Sequence, residues 1–394
     1  MPNTERAKSG IPALLDLKSH FSRFLGSDPL RLHFAAHSHH PWPDVSRTAH
    51  QQAWDDAARL IDDKWEHILG HVLPEAQKHI ARQLDLSDPA AIVFAPNTHE
   101  LLMRLLSCCP ADRPVRILTS DSEFHSFTRQ IARLEEDGLV QVQRVATEPF
   151  DSFAVRFAAA AGSGFDLIYL SQVFFNSGFA VPDMDSIVAA AGDALLAIDG
   201  YHAFMARPVD WSAYQGRAFY LAGGYKYAMA GEGVCFMHCP PGWGTRPRDT
   251  GWYAAFGALS KAGDNRVAYA ENGWRFMGAT FDASGLYRFN AVQDWLLAQG
   301  ITVAMIHDHA LALQRRFIAG LPAGFSAERL VVPQANPARG NFLTFDLDDA
   351  ETMHGRLAEA SIVTDLRGRR LRFGFGLHQT EADVDMLLRR LQDL

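Results

Sequence analysis

Between Ala91 and His238 short apolar runs alternate with longer segments of helical spacing, and no other feature of the chain restricts its fold as much. Ala91–Ala95, Arg116–Thr119, Asp166–Leu170, Ala194–Ile198 and Ala218–Leu221 are β-branched or apolar enough to be buried strands. His99 to Cys108, His125 to Asp137 and Met184 to Ala191 carry apolar residues three and four apart, the spacing of a helix with one buried face. Helices between strands are crossover connections. The expected architecture is therefore α/β, a large mostly parallel sheet with helices on its faces. Gly233–His238 follows the fifth run too closely for a helical crossover, so it is expected to return antiparallel.

From about Phe289 the pattern changes to long helices, then a strand at Asn341–Asp346, a helix from Met353 to Ala360 and a strand at Arg370–Gly374. This is a smaller α+β unit. The expected organisation is a large α/β domain over 45–288 and a small domain formed by 1–44 with 289–394. A chain of 394 residues with 48% hydrophobic and 21% charged residues can bury a core of that size. Its formal net charge of −8, with no basic run, argues against a nucleic-acid or acidic-membrane partner. No apolar run reaches membrane-spanning length, and a cytoplasmic location is expected. The four cysteines lack the spacing of a zinc or redox motif and are expected to be structural thiols.

In open α/β sheets functional residues collect outside the carboxyl ends of the strands. The first strand end gives Pro96-Asn97-Thr98-His99 opening a helix, whose free N–H groups suit a phosphate. The second gives Asp121-Ser122-Glu123-Phe124, an aromatic placed to stack on a ring. The fourth gives Asp199-Gly200-Tyr201-His202 and the fifth Gly223-Gly224-Tyr225-Lys226-Tyr227. A lysine just past one strand and an aspartate at the end of another are what pyridoxal phosphate chemistry requires. The amine forms a Schiff base with the cofactor aldehyde, and the carboxylate keeps the pyridine nitrogen protonated so that the ring accepts electrons.

With these residues the chain resembles the class V aminotransferase superfamily of pyridoxal phosphate enzymes, and within it kynureninases. Asp199-Gly200-Tyr201-His202-Ala203 and Tyr225-Lys226-Tyr227 are similar to that family's Asp-x-x-His-Ala and Tyr-Lys-Tyr segments. Val173–Gly178, Gly251-Trp252-Tyr253, Arg275–Thr280 and Leu371–Phe375 resemble further family stretches. The resemblance implies the type I transferase fold, with a seven-stranded sheet and a homodimer that shares its active sites. It makes Lys226 the Schiff-base lysine, Asp199 the pyridine-nitrogen partner, His202 a contact to the ring hydroxyl and Phe124 the stacking ring. Thr98, the backbone of His99, Tyr225, Trp252 and Thr280 would hold the phosphate, Thr280 from the neighbouring subunit. Tyr225 joins Lys226 and Asp199 in the catalytic set, and Arg372 would grip the substrate carboxylate.

Departures fall mostly on the substrate side. Gly224 stands where kynureninases carry Ser or Thr, His125 near an expected Asp, and Ala254-Ala255-Phe256 where a Gly-His follows the tryptophan-rich turn. The implied reaction is hydrolysis of kynurenine or 3-hydroxykynurenine to alanine and an aromatic acid. A class V transaminase, epimerase or lyase shares the same cofactor shell and is the alternative. A cysteine desulfurase would need a late nucleophilic Cys, and none follows Cys239. A nicotinamide-dependent dehydrogenase would need Gly-x-Gly-x-x-Gly where this chain has Pro96-Asn97-Thr98-His99. His33, His37, His39 and His40 cluster near the N-terminus, but adjacent residues on an extended segment point apart, so no metal is expected there. In the resembled family this N-terminal stretch lines the active-site mouth, and the resemblance implies that His37 reaches substrate.

Overall fold

In the computed structural model, which describes residues 15–162, 164–258, 266–322 and 325–394, a two-residue strand β1 (Leu32–His33) precedes the main sheet. That sheet has seven strands: β2 (Ile92–Ala95), β3 (Val115–Ser120), β4 (Val140–Val145), β5 (Leu167–Ser171), β6 (Leu195–Asp199), β7 (Ala218–Gly223) and β8 (Cys235–His238). They lie in the order β2-β8-β7-β6-β5-β3-β4. The run from β4 to β7 is parallel, and β8 is antiparallel to both β7 and β2, the reversal expected of Gly233–His238. β4 is absent from the apolar runs because one of its faces is wet. Val140-Gln141-Val142-Gln143-Arg144-Val145 alternates, with its polar residues toward solvent.

The central strands β5 and β7 are buried along their whole length. Helix Leu73–Leu84, which leads into β2, shows how helices pack on the core: Leu73, Ala76, Ile80 and Leu84 bury on one stripe, and Asp85 ends the helix in the left-handed conformation. Each large apolar side chain buried this way contributes about 1.5–3 kcal/mol.

A second core forms around an antiparallel sheet of β9 (Phe342–Asp346), β12 (Arg370–Gly374) and β11 (Asp365–Arg367), in the order β11-β12-β9. Short β10 (Ile362–Val363) pairs in parallel with β1, which carries Leu32 and Phe34 into the same core as Leu313, Phe317, Phe345 and Phe373. Residue 288 falls inside helix Ser284–Ala298. The apolar spacing of that helix runs unbroken, so Leu286, Phe289, Val292 and Trp295 all pack in the main core, as do Leu17 and Phe21. Among the described residues no single helix is long and apolar enough to cross a membrane.

Candidate active site

The carboxyl ends of β2, β3, β5, β6 and β7 face one edge of the sheet. Because β8 runs the other way, its first residue joins them. Their turns enclose a cavity of about 250 Å³, lined by Thr98, His99, Phe124, Ser171, Asp199, Tyr201, His202, Tyr225, Lys226 and Cys235 among others. Seven of the eleven residues implicated by the sequence are thus brought together: Thr98, His99, Phe124, Asp199, His202, Tyr225 and Lys226.

Lys226 is 5% exposed, and burial lowers its amine to about pH 7, with the Asp199 carboxylate opposing that shift. An amine in that range is a nucleophile and a base at neutral pH. Its Nζ lies 3.0 Å from His202 Nε2, 5.3 Å from the centre of the Phe124 ring and 4.6 Å from that of Tyr201. His202 bonds the His37 backbone as well, and burial holds the imidazole neutral, so Nε2 is free to accept from the amine. Asp199 accepts from the Tyr201 backbone N–H at 2.9 Å and from the Tyr169 hydroxyl at 3.0 Å. Its carboxyl is raised by burial, and it keeps lone pairs for a cationic partner inside the cavity.

Two glycines make the lysine turn possible. A Cβ on Gly223 would overlap the Tyr201 hydroxyl, and one on Gly224 would overlap Val234 Cγ1 and lie 2.8 Å from the Gly231 carbonyl. Gly224 therefore cannot be the Ser or Thr found in kynureninases unless Val234 moves.

Asn97 caps helix Thr98–Leu106, its side chain accepting from the Glu100 N–H at 3.0 Å. Thr98 is thus the first helical residue rather than the cap. The amide groups of the opening turn face the cavity, with the Cys235 thiol beside the Thr98 N–H.

Sequence reasoning missed four residues of this site, one of them Tyr201, whose ring lines the cavity beside Lys226. Glu123 is fully buried, accepting from the Ser120 and Ser171 hydroxyls at 2.5 Å each, and burial raises its carboxyl to about 7. It braces the turn that presents Phe124. An acid between an apolar strand and an aromatic is a visible signal for it. Ser171 ends β5, a strand end from which no residue was taken. Cys235 lines the cavity too, which its place in an apolar strand does not reveal.

Four expected site residues lie elsewhere. Trp252 is 44% exposed and stacks on Tyr253 at 4.2 Å, and Thr280 is exposed; neither lines the cavity of its own chain. His37, expected to reach substrate, is fully buried with its ring stacked on Phe342 at 4.5 Å. The glycine at 374 makes room for that ring, which does not line the cavity, although Arg372, His202 and Lys226 are near enough to oppose its charge. Arg372 is buried behind Phe175, pairing with Asp365 Oδ2 at 2.5 Å and donating to the Phe175 carbonyl. The resemblance casts it as the grip for a substrate carboxylate, but here β11 already supplies a partner.

The family model for aminotransferase class V matches residues 63–387. The chain belongs to the class V aminotransferase family. A curated relative is the isopenicillin N epimerase of Streptomyces clavuligerus, 27% identical over 225 residues. That match covers 55% of this chain and 55% of the relative, so the chain spans about half the length of the curated protein it matches. Among solved structures the fold is similar to the cystine C-S lyase C-DES (TM-score 0.77, 17% identity, 92% of this chain and 98% of that one). It is also similar to a cysteine desulfurase from Thermococcus onnurineus NA1 (0.76, 15%, 98% and 99%) and to the desulfurase CsdA from Escherichia coli (0.74, 16%, 95% and 98%).

The cofactor of this class V enzyme is pyridoxal 5'-phosphate. The residues present fit it: a buried amine near its neutral form, a carboxylate with free lone pairs, an aromatic ring 5.3 Å from that amine, and helix-end amides for the phosphate. When bound, the group supplies a sink for the electrons released at an amino acid's α-carbon.

Proposed function

We propose that this class V enzyme removes the α-proton of an amino acid with Lys226 and cleaves the bond between Cβ and a γ-carbonyl carbon. Water adds to that carbonyl, and alanine and an aromatic acid leave, as kynureninases do with kynurenine or 3-hydroxykynurenine. The observation that carries this reading is the buried Lys226 amine with a tyrosine hydroxyl beside it in the cavity. One amine base, held by His202 at 3.0 Å, is faced by the Phe124 ring, which offers no second base. Beside it Tyr225 is kept protonated by burial, to about 12, so its hydroxyl can donate to the oxyanion that forms when water adds.

A second reading is epimerisation, supported by the similarity to isopenicillin N epimerase. Reversal through two bases would need another base opposite Lys226. Persulfide chemistry on an enzyme cysteine is disfavoured, because burial pushes Cys108, Cys109 and Cys239 up to about 12 and Cys235 to about 11. Incubating cofactor-loaded protein with an amino-acid panel including kynurenine and 3-hydroxykynurenine tests the proposal by mass spectrometry and chiral chromatography. Alanine with an aromatic acid is the expected result. A D-amino acid as sole product would replace hydrolysis with epimerisation, and an oxo acid would replace it with transamination.

The active unit we propose is a homodimer with shared sites. Trp252 and Thr280 stand exposed beyond their own cavity, near an apolar hollow formed by Trp54, Trp65, Phe281 and Tyr287. Trp54 is 72% exposed, which a second copy would cover. Mixing an inactive Lys226→Ala protein with an inactive Trp252→Ala/Thr280→Ala protein is expected to restore part of the activity. Mixed dimers then carry one site free of both defects. No recovery after verified subunit exchange removes the shared site.

A further inference from the structure

Ser171 ends β5 directly opposite Asp199 at the end of β6; the two are register partners in a parallel pair, and both line the cavity. Tyr169 stands two residues earlier, on the same face of β5, and its hydroxyl donates to Asp199 Oδ2 at 3.0 Å. The Ser171 side chain therefore projects beside the Asp199 carboxylate. Its hydroxyl nevertheless donates elsewhere, to Glu123 Oε2 at 2.5 Å, while Glu123 Oε1 takes the Ser120 hydroxyl at 2.5 Å.

A serine hydroxyl has one proton to give, so its direction matters. Asp199 already takes one donor on each oxygen, the Tyr201 N–H on Oδ1 at 2.9 Å and the Tyr169 hydroxyl on Oδ2. The lone pairs left over are those a cation in the cavity can use. A third hydroxyl would compete for them. Glu123 is 2% exposed, and burial works against a charge there. The two serine hydroxyls offset that, at the short separation expected of hydroxyls held by an ionised acceptor.

We propose that Glu123 is a positioning residue for Asp199: by taking the Ser171 proton it keeps that hydroxyl off Asp199 and leaves the carboxylate's lone pairs to the protonated ring nitrogen of the cofactor. It acts at one remove, since Glu123 itself does not line the cavity. The role is independent of which reaction the cofactor serves. It is also separate from the brace that Glu123 gives to Phe124, the next residue in the chain.

Two cofactors separate the roles: pyridoxal phosphate, and its analogue with a C–H in place of the ring nitrogen, which has nothing for Asp199 to hold. Glu123→Met removes the acceptor and frees the Ser171 hydroxyl to turn to Asp199. In protein loaded with pyridoxal phosphate, retention followed by absorbance during equilibrium dialysis should weaken by about tenfold, the loss implied by one charge-assisted hydrogen bond. Retention of the analogue should not change. Ser171→Ala alone should hold both cofactors as wild type does, and adding Glu123→Met to it should bring no further loss, because the misdirected hydroxyl is gone. Glu123→Asp keeps the charge but draws the acceptor back from Ser171. It should show the same selective loss, and it carries the test if Glu123→Met does not fold. Equal weakening of both cofactors overturns the proposal and reduces Glu123 to the brace behind Phe124, whose ring would serve either cofactor alike. Unchanged retention of both, or a selective loss that persists in the Ser171→Ala background, overturns it as well.

Discussion

Lys226→Ala is expected to give a folded protein that retains no cofactor through dialysis after borohydride reduction and has no measurable turnover. Removing a general acid–base alone costs about 10²–10⁴-fold, and here the residue that anchors the cofactor goes with it. In wild type, reduction should leave the label on the peptide containing Tyr225-Lys226-Tyr227; label on another lysine would refute the assignment. The amine near pH 7 adds a pH signature. Below that value it is protonated and cannot attack, so cofactor capture should rise with a midpoint near pH 7 rather than near the ordinary lysine value of 10.5. The same shift bears on the stability of the cofactor-free protein. Between about pH 7 and 10.5 the unfolded chain holds the proton that the folded one has released, so stability should climb with pH across that window. Lys226→Met should flatten the climb, as followed by denaturant unfolding. A slope unchanged by the substitution would mean that the amine is not desolvated.

What was legible in the sequence follows from how each residue signals itself. Strands buried on both faces are apolar throughout, so β2, β3, β5, β6 and β7 stood out, while β4, wet on one side, did not. Lys226 and Asp199 were visible because a charge directly after an apolar run has few other reasons to be there. Glu123 carries the same signature, but its partners Ser120 and Ser171 come from two strands, and only the pairing of β3 with β5 brings them together. Long-range pairing hid the state of Arg372 for the same reason. Its partner Asp365 faces it across the β11–β12 hairpin, and nothing in the local pattern separates that pair from an arginine waiting for a ligand. The second core drew on Leu32 and Phe34 through a two-residue strand, too short to leave a period in the sequence.

Arg372→Ala is expected to destabilise the protein, and this decides what the arginine does. The substitution leaves the buried Asp365 with the half-exposed Arg367, at 2.6 Å from Oδ1, and the neutral His37 ring 3.9 Å from Oδ2, and leaves the Phe175 carbonyl without its donor. Breaking a buried pair from one side costs about 3–5 kcal/mol, mostly because the remaining charge is stranded. Arg372→Ala/Asp365→Asn should therefore recover a substantial part of the loss, and thermal unfolding of the three proteins measures it. A single variant that melts with wild type would deny the pair any structural weight. The carboxylate grip implied by the family resemblance makes a separate demand. Two guanidinium nitrogens of Arg372 are already engaged, and Nε is the enclosed donor without an acceptor, so a substrate carboxylate would have to use Nε or displace Asp365. Titrating the double variant, loaded with cofactor and held well below its melting temperature, with amino-acid substrate separates the two roles. Weakened binding there, partly restored by Arg372→Lys but not fully for want of the planar fork, would place the guanidinium on the substrate. Normal binding in a protein that merely melts early would make Arg372 the brace that holds Phe175 at the cavity wall.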